Sequence, residues 1–595
     1  LFGPHYEAWR CLRNQGRFTM ARIRKLEIQN FRSIRLFTWT PSPGINCLIG
    51  PGDSGKSSIL DAIDWCLGAR RSVSIGDTDF YGLDVTAPIV ISATIGALPD
   101  DLINLDAYGD FLRGFDSATG DIEDEPRVGL ETVLTLRLTV DGGLEPVWTL
   151  HSDRAAEHGL ERGLAWKDRS RIAPARIGSF ASMNLSWSRN SILNKLTEER
   201  AELGGALAAA AREARASFGD QARVQLEQPL QIVTDTANNL GVPVGGAAQA
   251  LLDAHSVSIG DGAIALHDAQ GIPLRSLGTG SSRLLVAGLQ RRAAQAASIA
   301  LVDEVEFGLE PHRLIRFLDS LGAKESVPPL QVFLTTHSPV ALRELSGDQL
   351  YVVRKQGDQH DVRLAGTSND VQSTLRSDPE AFLAKHVIVC EGASEVGLVR
   401  GLDQYWGTQR LPSFMALGGA YVDVTGGSTD NCYNRGLALL RLGYRVLAIV
   451  DADKPATPEV LQSFLQAGGM SITWGVGRAL EDELFASLPD TALDALMAKA
   501  IEDPGRELMA EHIRSKSEGT LSLDQVLEAR RQFTPYPAEY RRILGIASRI
   551  RKKGWFKSVT TYQHVGKNII GPHLADSDAG FQQVINGIKD WIHAS

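Results

Sequence analysis

The stretch INCLIGPGDSGKSSILDAIDWCL, residues 45–67, sets a glycine-rich loop between an apolar strand and an apolar helix. Gly50, Gly55, Lys56 and Ser57 have the spacing GxxxxGK[ST], in which small residues let backbone N–H groups close around phosphate oxygens. In this arrangement Lys56 neutralises the β- and γ-phosphates and Ser57 holds Mg²⁺. The stretch therefore predicts a nucleoside triphosphate site, since an incidental glycine-rich turn would lack the strand and the helix on its two sides.

The whole loop is expected to contact ATP. Its predicted nucleotide-binding residues are Gly50, Gly52, Asp53, Ser54, Gly55, Lys56, Ser57 and Ser58.

The segment SIALVDEVE, residues 298–306, supplies a second part of such a site. An apolar strand ends at Asp303, which is placed to hold Mg²⁺ through water. Glu304, beside it, could polarise the attacking water. The alternative, an ordinary solvated loop, is disfavoured because the glycine-rich loop occurs in the same chain.

Two further turns have the composition of nucleotide-contacting loops. In SLGTGSSRLL, Ser276, Gly278 and Gly280 are small residues with free N–H groups before a helix. This turn resembles the ABC signature, which caps the γ-phosphate bound by the opposite subunit. In TTHSP, His337 follows a strand and resembles the switch histidine near the γ-phosphate. A lone histidine is more often structural, and its position downstream of the acidic pair favours the functional role here.

The order of these motifs is more specific than any one of them. Loop, signature turn, acidic pair and histidine, over residues 20–345, resemble the SMC/RecF-like ABC ATPases. The resemblance implies two composite ATP sites in a head-to-head homodimer or higher oligomer.

A second set of acidic residues follows apolar strands further along the chain. Glu391 ends AKHVIVCEG, Glu395 lies one helical turn later, and LAIVDAD ends with Asp451 and Asp453. Short apolar strands alternating with helices indicate a parallel sheet, so these carboxylates are expected at one edge. Oxygen ligands of this kind select Mg²⁺ or Mn²⁺, which can activate a phosphodiester. The alternative is a pair of solvated helix N-termini, where acids are favoured anyway.

This pair of motifs resembles the TOPRIM fold, and the whole of residues 20–575 resembles the OLD (overcoming lysogenisation defect) family, including Gabija-type defence nucleases. The resemblance implies a further metal ligand in RALEDELF, from Glu481 or Glu483, with Glu483 preferred. It also implies a lysine at the scissile phosphate from RIRKKGWFKSV. Lys553 and Lys557 are equal candidates, and a plain phosphate-contacting patch is the alternative for each.

The function implied is an ATP-regulated, metal-dependent DNA endonuclease in phage defence or DNA repair, with a helicase-like partner. Hydrolysis is expected rather than strand passage, because no tyrosine-nucleophile domain is evident. One alternative is an ATP-switched DNA clamp or sensor that recruits an effector. Another is a primase- or topoisomerase-like TOPRIM enzyme, which the absence of a zinc ribbon disfavours.

The predicted fold class is α/β, with an ABC-type ATPase and a C-terminal TOPRIM domain. An extension of uncertain status, 1–19, precedes the ATPase halves at 20–189 and 246–375. The Ala/Glu/Arg-rich segment 190–245 is expected to be a helical insertion for dimerisation, or simply a core helix pair. The nuclease domain is expected at 376–595.

Composition limits the function classes further. The net charge of −10 argues mildly against nucleic acid, so a DNA-binding surface would have to be a local basic patch. Five cysteines without a CxxC pair exclude a zinc ribbon or disulfide framework and fit a reducing cytoplasm. No long apolar run predicts a membrane span, so cytoplasmic localisation without membrane contact is expected.

Overall fold

The computed structural model describes two β-sheets joined by helices. The described residues are 21–70, 73–178, 185, 193, 213, 226–239, 266–292, 298–532, 536–550 and 553–594. Most of the segment 190–245, where an arm or dimerisation element is expected, therefore lies outside the described residues. From that segment the structure describes mainly the helix Glu227–Asn239.

The large sheet is mixed and has 13 strands. Its strands in chain order are β1 Arg22–Phe31, β2 Ile34–Trp39, β3 Ile45–Ile49, β4 Ile89–Gly96, β5 Leu112–Phe115, β6 Ile122–Glu123, β7 Glu131–Val140, β8 Pro146–His151, β9 Ala175–Arg176, β10 Ile299–Val302, β11 Gln331–Thr335, β12 Leu350–Gln356 and β13 Gln359–Leu364. They run in the order β6-β5-β7-β4-β1-β2-β13-β12-β3-β11-β10-β9, with β8 paired to β7. Strands from both sides of 190–245 thus belong to one sheet.

The segment IRKLEIQNFRSI, residues 23–34, has a pattern that predicts one continuous strand, but it forms a hairpin. The chain turns at Arg32, and Phe31 pairs with Ile34 in an antiparallel register. The Arg32 backbone is left-handed, with φ of 51°. The Arg32 guanidinium pairs with Asp61 and Asp79, and these two ion pairs hold the turn where alternation of apolar residues suggested continuity.

The second sheet has four parallel strands, and buried residues pack on both of its faces. Its strands are β14 His386–Cys390, β15 Gly419–Asp423, β16 Arg445–Val450 and β17 Met470–Thr473, in the order β15-β14-β16-β17.

The apolar run FMAL, residues 414–417, predicts a short strand from its composition, but these residues form turns and β15 begins at Gly419. Phe414 is fully buried, and its backbone N–H donates to Asp403 Oδ1 at 2.9 Å. A Cβ at Gly419 would lie 2.3 Å from the Phe414 ring, so the chain folds back on itself before the strand starts.

Helices cover both sheets. The described α-helices are Lys56–Leu67, Leu105–Tyr108, Asp153–Glu157, Trp166–Ile172, Glu227–Asn239, Thr279–Arg292, Pro311–Ser320, Pro339–Glu344, Asn369–Ser377, Ala393–Thr408, Thr429–Arg441, Pro458–Gln466, Leu480–Ser487, Asp490–Ala500, Arg506–Lys516, Leu523–Gln532, Ala538–Ser548, Val559–His564, Gly571–His573 and Ala579–His593. Two π-helical segments, Ile501–Gly505 and Val565–Ile570, continue neighbouring helices. Within the described ranges, no helix combines the length and apolarity needed to cross a lipid bilayer.

One hydrophobic core runs from the large sheet into the second sheet. Val332 and Val352 of the large sheet belong to the same buried cluster as Val389 and Val450 of the second sheet. The opposite face of the second sheet packs on the C-terminal helices in a separate cluster. The two sheets therefore share packing as well as a chain connection.

Candidate functional site

The glycine-rich loop leaves β3 and opens the helix Lys56–Leu67, as its spacing predicts. Gly50 and Gly55 have φ of 136° and 86°, values that favour glycine. A Cβ at Gly50 would lie 2.4 Å from the carbonyl oxygen of Val353, so the backbone of β12 approaches the loop too closely for any side chain. Gly52, Asp53 and Ser57 are exposed at the loop surface.

Lys56 is held at the centre of this loop. Its Nζ donates to the carbonyl oxygens of Gly50 at 3.1 Å and Pro51 at 2.7 Å, and to Ser54 Oγ at 3.2 Å. Burial lowers the pKa of Lys56, and the nearby carboxylates of Asp53 and Asp303 oppose that shift. The loop therefore holds a buried ammonium group among backbone dipoles, where a phosphate would be its strongest partner.

The acidic pair lies at the end of β10. In the sheet, β11 lies between β10 and β3, the strand that precedes the glycine-rich loop. Ser57 Oγ donates to Asp303 Oδ1 at 3.3 Å, and Thr335 Oγ1 donates to the same oxygen at 2.6 Å. Glu304 is exposed and left-handed, with φ of 47°, and its N–H donates to Thr335 Oγ1 at 2.8 Å. Ser57 and Asp303, the two predicted Mg²⁺ contacts, are thus brought together.

Arg283 fixes the backbone of this acidic loop, a role that the sequence did not reveal. The side chain is fully buried on the helix Thr279–Arg292. Its guanidinium donates to the carbonyl oxygens of Asp303 at 3.4 Å and Glu304 at 3.1 Å, and also to that of Phe307. The guanidinium lies 5.5 Å from the centroid of the Phe317 ring. Arg283 therefore links the helix Thr279–Arg292 to the loop that carries Asp303.

Replacing Arg283 by Met should lower the free energy of unfolding by about 3 kcal/mol, because carbonyl acceptors of the acidic loop would stay buried without donors. Urea denaturation measures the loss. The control is Arg313→Met, since Arg313 donates to Ser281 Oγ at 3.1 Å from a side chain that is 38% exposed. We expect the control to lose less than about 1 kcal/mol of its free energy of unfolding. Equal losses in the two variants would contradict the anchoring role of Arg283.

The signature turn is divided between an exposed part and a packed part. Ser276 and Gly278 are exposed, while Gly280 is buried in the first turn of the helix Thr279–Arg292. A Cβ at Gly280 would lie 2.4 Å from the carbonyl oxygen of Gly308, so this glycine permits contact with the loop after the acidic pair. His337 is exposed at the end of β11, and its backbone N–H donates to Glu306 Oε1 at 2.8 Å.

A second site lies where β14 and β16 end. Glu391 follows β14, Asp451 follows β16, and Glu395 and Glu481 lie in the first turns of the helices Ala393–Thr408 and Leu480–Ser487. We call these four residues the carboxylate cluster. Backbone N–H groups hold its members in place: Asp451 N donates to Glu391 Oε2 at 3.2 Å, and Leu480 N donates to Asp451 Oδ1 at 3.0 Å.

The pKa of every member of the cluster is raised. Burial raises the pKa of Asp451 to about 7, with further contributions from Glu481 and Glu391. Burial, followed by Asp451, raises the pKa of Glu395 well above its usual range. Burial also raises the pKa of Glu481 and Glu391. Four carboxyl groups that cannot all ionise without a cation are thus gathered at one sheet edge.

The structure places Glu481 in the cluster, and Glu483, the preferred ligand in the sequence prediction, outside it. Glu483 Oε2 accepts from Gly475 N at 2.9 Å and from the Arg478 guanidinium at 3.2 Å, and Ser487 Oγ donates to Oε1. These hydrogen bonds hold the Glu483 carboxylate against the loop that follows β17. Glu481 Oε1, in contrast, is buried without a hydrogen-bond partner.

Asp453 lies beyond the end of β16, yet its charge still contributes to the raised pKa of Asp451 and Glu391. β16 ends at Val450, and Asp453 lies in a bend. Its Oδ2 accepts from the Arg549 guanidinium at 3.0 Å, and Arg549 also pairs with Asp482 at 3.2 Å. Asp453 therefore lies at the rim of the cluster, with a counter-ion, Arg549, that it shares with Asp482.

The two late lysines are both exposed. Lys557 is close enough to Glu481 to lower the pKa of that carboxyl, whereas Lys553 contributes to the lowered pKa of His512. The structure thus brings Lys557 to the cluster. Arg549 and Lys557 thus place two cationic groups beside the cluster, and Arg549 is paired there with Asp453 and Asp482.

The donors of the cluster are carboxylate oxygens, which suit a hard divalent cation. One of them, Glu481 Oε1, is buried and makes no hydrogen bond of standard geometry with the described residues. Across the described ranges, no three histidine, cysteine, aspartate or glutamate side chains already converge as ligands of one ion. Binding a cation would therefore require rotation of these side chains.

The raised pKa values predict how stability without metal depends on pH. Because burial raises the folded pKa of Asp451 to about 7, above its ordinary value of 3.8, the folded state holds this proton more tightly. The resulting stabilisation is complete below about pH 4 and is lost as the pH rises through about 7. It amounts to about 4 kcal/mol in all, of which about 2 kcal/mol is lost between pH 5.5 and 8. Thermal unfolding in EDTA at pH 5.5 and 8 measures the change. The Asp451→Asn variant should show a flatter dependence, and an unchanged slope would contradict the assignment.

The phosphate loop and the acidic pair, joined through Ser57 and Asp303, define the class of the protein as a P-loop ATPase. The family model described as "AAA domain, putative AbiEii toxin, Type IV TA system" matches residues 45–343. This match covers half of the chain, and the chain belongs to that family.

Curated relatives match over short stretches. The DNA replication and repair protein RecF of Chlorobium phaeovibrioides is 41% identical over 56 residues, 9% of this chain and 15% of that protein. RecF of Prosthecochloris aestuarii is 47% identical over 45 residues, 8% of this chain and 12% of that protein. The chromosome partition protein Smc of Methanocaldococcus jannaschii is 34% identical over 64 residues, 11% of this chain and 6% of that protein. The chain therefore spans a small part of the length of these relatives.

Solved structures of SMC heads are also similar at low identity. A SmcHead bound to the C-winged helix domain of ScpA is 16% identical, with a TM-score of 0.33 over 57% of this chain and 96% of that chain. The SMC head domain from Thermotoga maritima is 14% identical, with a TM-score of 0.27 over 58% of this chain and 98% of that chain.

Proposed function

We propose that the protein is an ATP-regulated, divalent-metal-dependent DNA endonuclease of the OLD type, with a TOPRIM domain at residues 376–595. The observation that carries the proposal is the carboxylate cluster at the carboxyl ends of two adjacent parallel strands. Two of its members, Glu395 and Glu481, are buried, and the other two, Glu391 and Asp451, are half-buried. Burial raises the pKa of all four carboxyl groups. A purely structural site would not gather like charges in this way, because their mutual repulsion and desolvation destabilise the fold.

The cluster residues would hold Mg²⁺ or Mn²⁺, with Asp453 as a further ligand at the rim. Such an ion polarises a phosphodiester and supplies hydroxide at neutral pH. Arg549 and Lys557 would orient a DNA phosphate toward the cluster by charge-assisted hydrogen bonds. Lys557 would also stabilise the charge that develops on the phosphate during cleavage.

The ATPase halves, 20–189 and 246–375, would control this site. Lys56 and Ser57 would bind the triphosphate and its Mg²⁺, and Glu304 and His337 would act on the attacking water and the γ-phosphate. The exposed part of the signature turn would cap ATP on a second copy of the chain. Similarity to a DNA replication and repair protein supports DNA as the substrate. Phage defence or DNA repair beside a helicase-like partner is the proposed setting.

The test is cleavage of supercoiled plasmid by the purified full chain with Mn²⁺ or Mg²⁺, with and without ATP. We expect open-circular or linear products that disappear in EDTA and whose rate changes with ATP. Nucleotide-free and ADP-containing reactions are the controls for the effect of ATP. Intact plasmid under every metal and nucleotide condition would refute the endonuclease.

A second candidate is an ATP-switched DNA clamp that recruits its effector. The raised pKa values favour it, because carboxyl groups that stay protonated can be buried without any metal. Calorimetric titration with Mn²⁺ distinguishes the two. Binding that is lost in Asp451→Asn supports the nuclease, whereas no heat from the wild-type chain, together with ATP-dependent DNA binding, supports the clamp.

A further inference from the structure

Tyr562 reaches the carboxylate cluster from the C-terminal part of the chain. It lies on the helix Val559–His564, and its side chain is fully buried. The Phe556 ring packs edge-on against it, with 6.0 Å between ring centroids. No role is assigned to this residue by the proposed metal site or by the nucleotide site.

Two glycines bring the Tyr562 helix unusually close to the helix that carries Glu395. A Cβ at Gly397 would lie 2.5 Å from the Val559 carbonyl oxygen and 2.7 Å from Tyr562 Cβ. A Cβ at Gly401 would lie 2.2 Å from the carbonyl oxygen of Gln563. The tyrosine therefore enters the cluster only because the facing helix lacks side chains at these positions.

The hydroxyl group of Tyr562 faces acidic groups. Burial raises its pKa well above the usual range, and the nearby carboxyl groups of Glu481, Glu395 and Asp451 add to the shift. The Tyr562 hydroxyl and Glu481 Oε1 are both buried, and neither has a hydrogen bond of standard geometry with the described residues. The hydroxyl nevertheless faces Glu481 closely enough to lower the pKa of that carboxyl.

We propose that Tyr562 is a positioning residue that donates a hydrogen bond to Glu481 and orients this carboxylate toward a divalent cation. The inference rests on the proposed metal site. Such outer partners of a metal-binding carboxylate fix its orientation, and their loss weakens metal binding about ten- to a hundredfold. Complete burial of the phenol favours this role over nucleophilic attack on DNA, for which the oxygen would have to be accessible.

The experiment is Mn²⁺ titration calorimetry on the full chain and its Tyr562→Phe variant, which removes only the hydroxyl. We expect the Mn²⁺ affinity to fall at least about tenfold, with ATP hydrolysis unchanged. The matched control is Tyr536→Phe, because Tyr536 donates to Asp494 Oδ1 at 2.8 Å without contributing to the carboxylate cluster. Thermal unfolding of each variant verifies the fold.

A double-mutant cycle separates positioning from a general packing effect. In a Glu481→Gln background, Tyr562→Phe should cause no further loss of Mn²⁺ affinity, because the acceptor of its hydrogen bond is already changed. Additive losses would overturn the proposal, as would wild-type affinity in the single variant. A covalent DNA–tyrosine adduct in wild-type reactions would also overturn it. If the wild-type chain binds no Mn²⁺, the proposed metal site itself fails, and the two failures are thus distinguishable.

Discussion

Plasmid cleavage by the Asp451→Asn variant is expected to fall by at least about a thousandfold relative to the wild-type chain. Asp451 directly follows β16, and its carboxylate interacts with those of Glu481 and Glu391. The amide keeps the size of the side chain and its acceptor for the Leu480 N–H, yet it removes the charge that a cation would neutralise. The rate of appearance of open-circular DNA measures the loss.

The control for this variant is Asp494→Asn, which changes a carboxylate in the same region. Asp494 pairs with Arg530 at 2.8 Å and accepts from Tyr536, and it does not contribute to the cluster. Its cleavage rate should stay within about threefold of wild type, since it has no contact with the proposed metal. Full cleavage by a folded Asp451→Asn protein would disprove the assignment of the site.

The second large effect is expected from Lys56→Ala, which should lower ATP hydrolysis by at least about a hundredfold. Lys56 Nζ is already oriented by three oxygen acceptors in the loop, so no other cation can take its place beside the phosphates. Phosphate release at saturating ATP measures the rate, and a fluorescent ATP analogue measures affinity separately.

Lys324→Ala serves as the control, because Lys324 forms ion pairs with Glu344 and Asp319 at the surface. ATP hydrolysis by this control should equal that of the wild-type chain. The Lys56→Ala variant also reports on regulation, since its plasmid cleavage with and without ATP shows whether the nucleotide activates or inhibits. Wild-type hydrolysis by Lys56→Ala would mean that the loop does not hold the triphosphate.

Features encoded by neighbouring residues could be predicted from the sequence. The loop at Gly50–Ser57 has its strand and helix within a few residues, and β7 has the predicted bounds, Glu131–Val140. The carboxyl ends of β14 and β16 could be placed at one edge, because parallel strands impose it. Local pattern therefore located the glycine-rich loop and the acidic residues at the strand ends.

The choice between Glu481 and Glu483 depended on the phase of one helix. Residues two positions apart on an α-helix point about 200° apart around the helix axis, so only one of these two glutamates can face the sheet edge. The phase is set where the helix Leu480–Ser487 begins, and Asp482 Oδ2 fixes that start by accepting from Ala479 N at 3.1 Å. The acidic run itself gives no preference, so the sequence could not show that Glu481, and not Glu483, faces Asp451.

Residues that act across long sequence separations were missed for a different reason. Arg283 reaches the acidic loop from another helix, and Tyr562 and Arg549 reach the carboxylate cluster from the C-terminal region. Each of them looks ordinary in its own segment, because its role comes from the packing of distant elements. Gly397 and Gly401, inside a helix, were the available signal, since glycine there often marks close helix contact.

The shared core of the two sheets has a mechanical consequence. A swing of the carboxylate strands away from the nucleotide sheet would have to uncover side chains such as Val389 and Val450, each stabilising the fold by about 1.5–3 kcal/mol. The free energy lost by exposing a few such side chains equals the free energy of unfolding of a typical domain. The shared packing therefore opposes a hinge motion between the large sheet and the second sheet. ATP binding would more easily change the contact between two copies of the chain than the conformation of either copy.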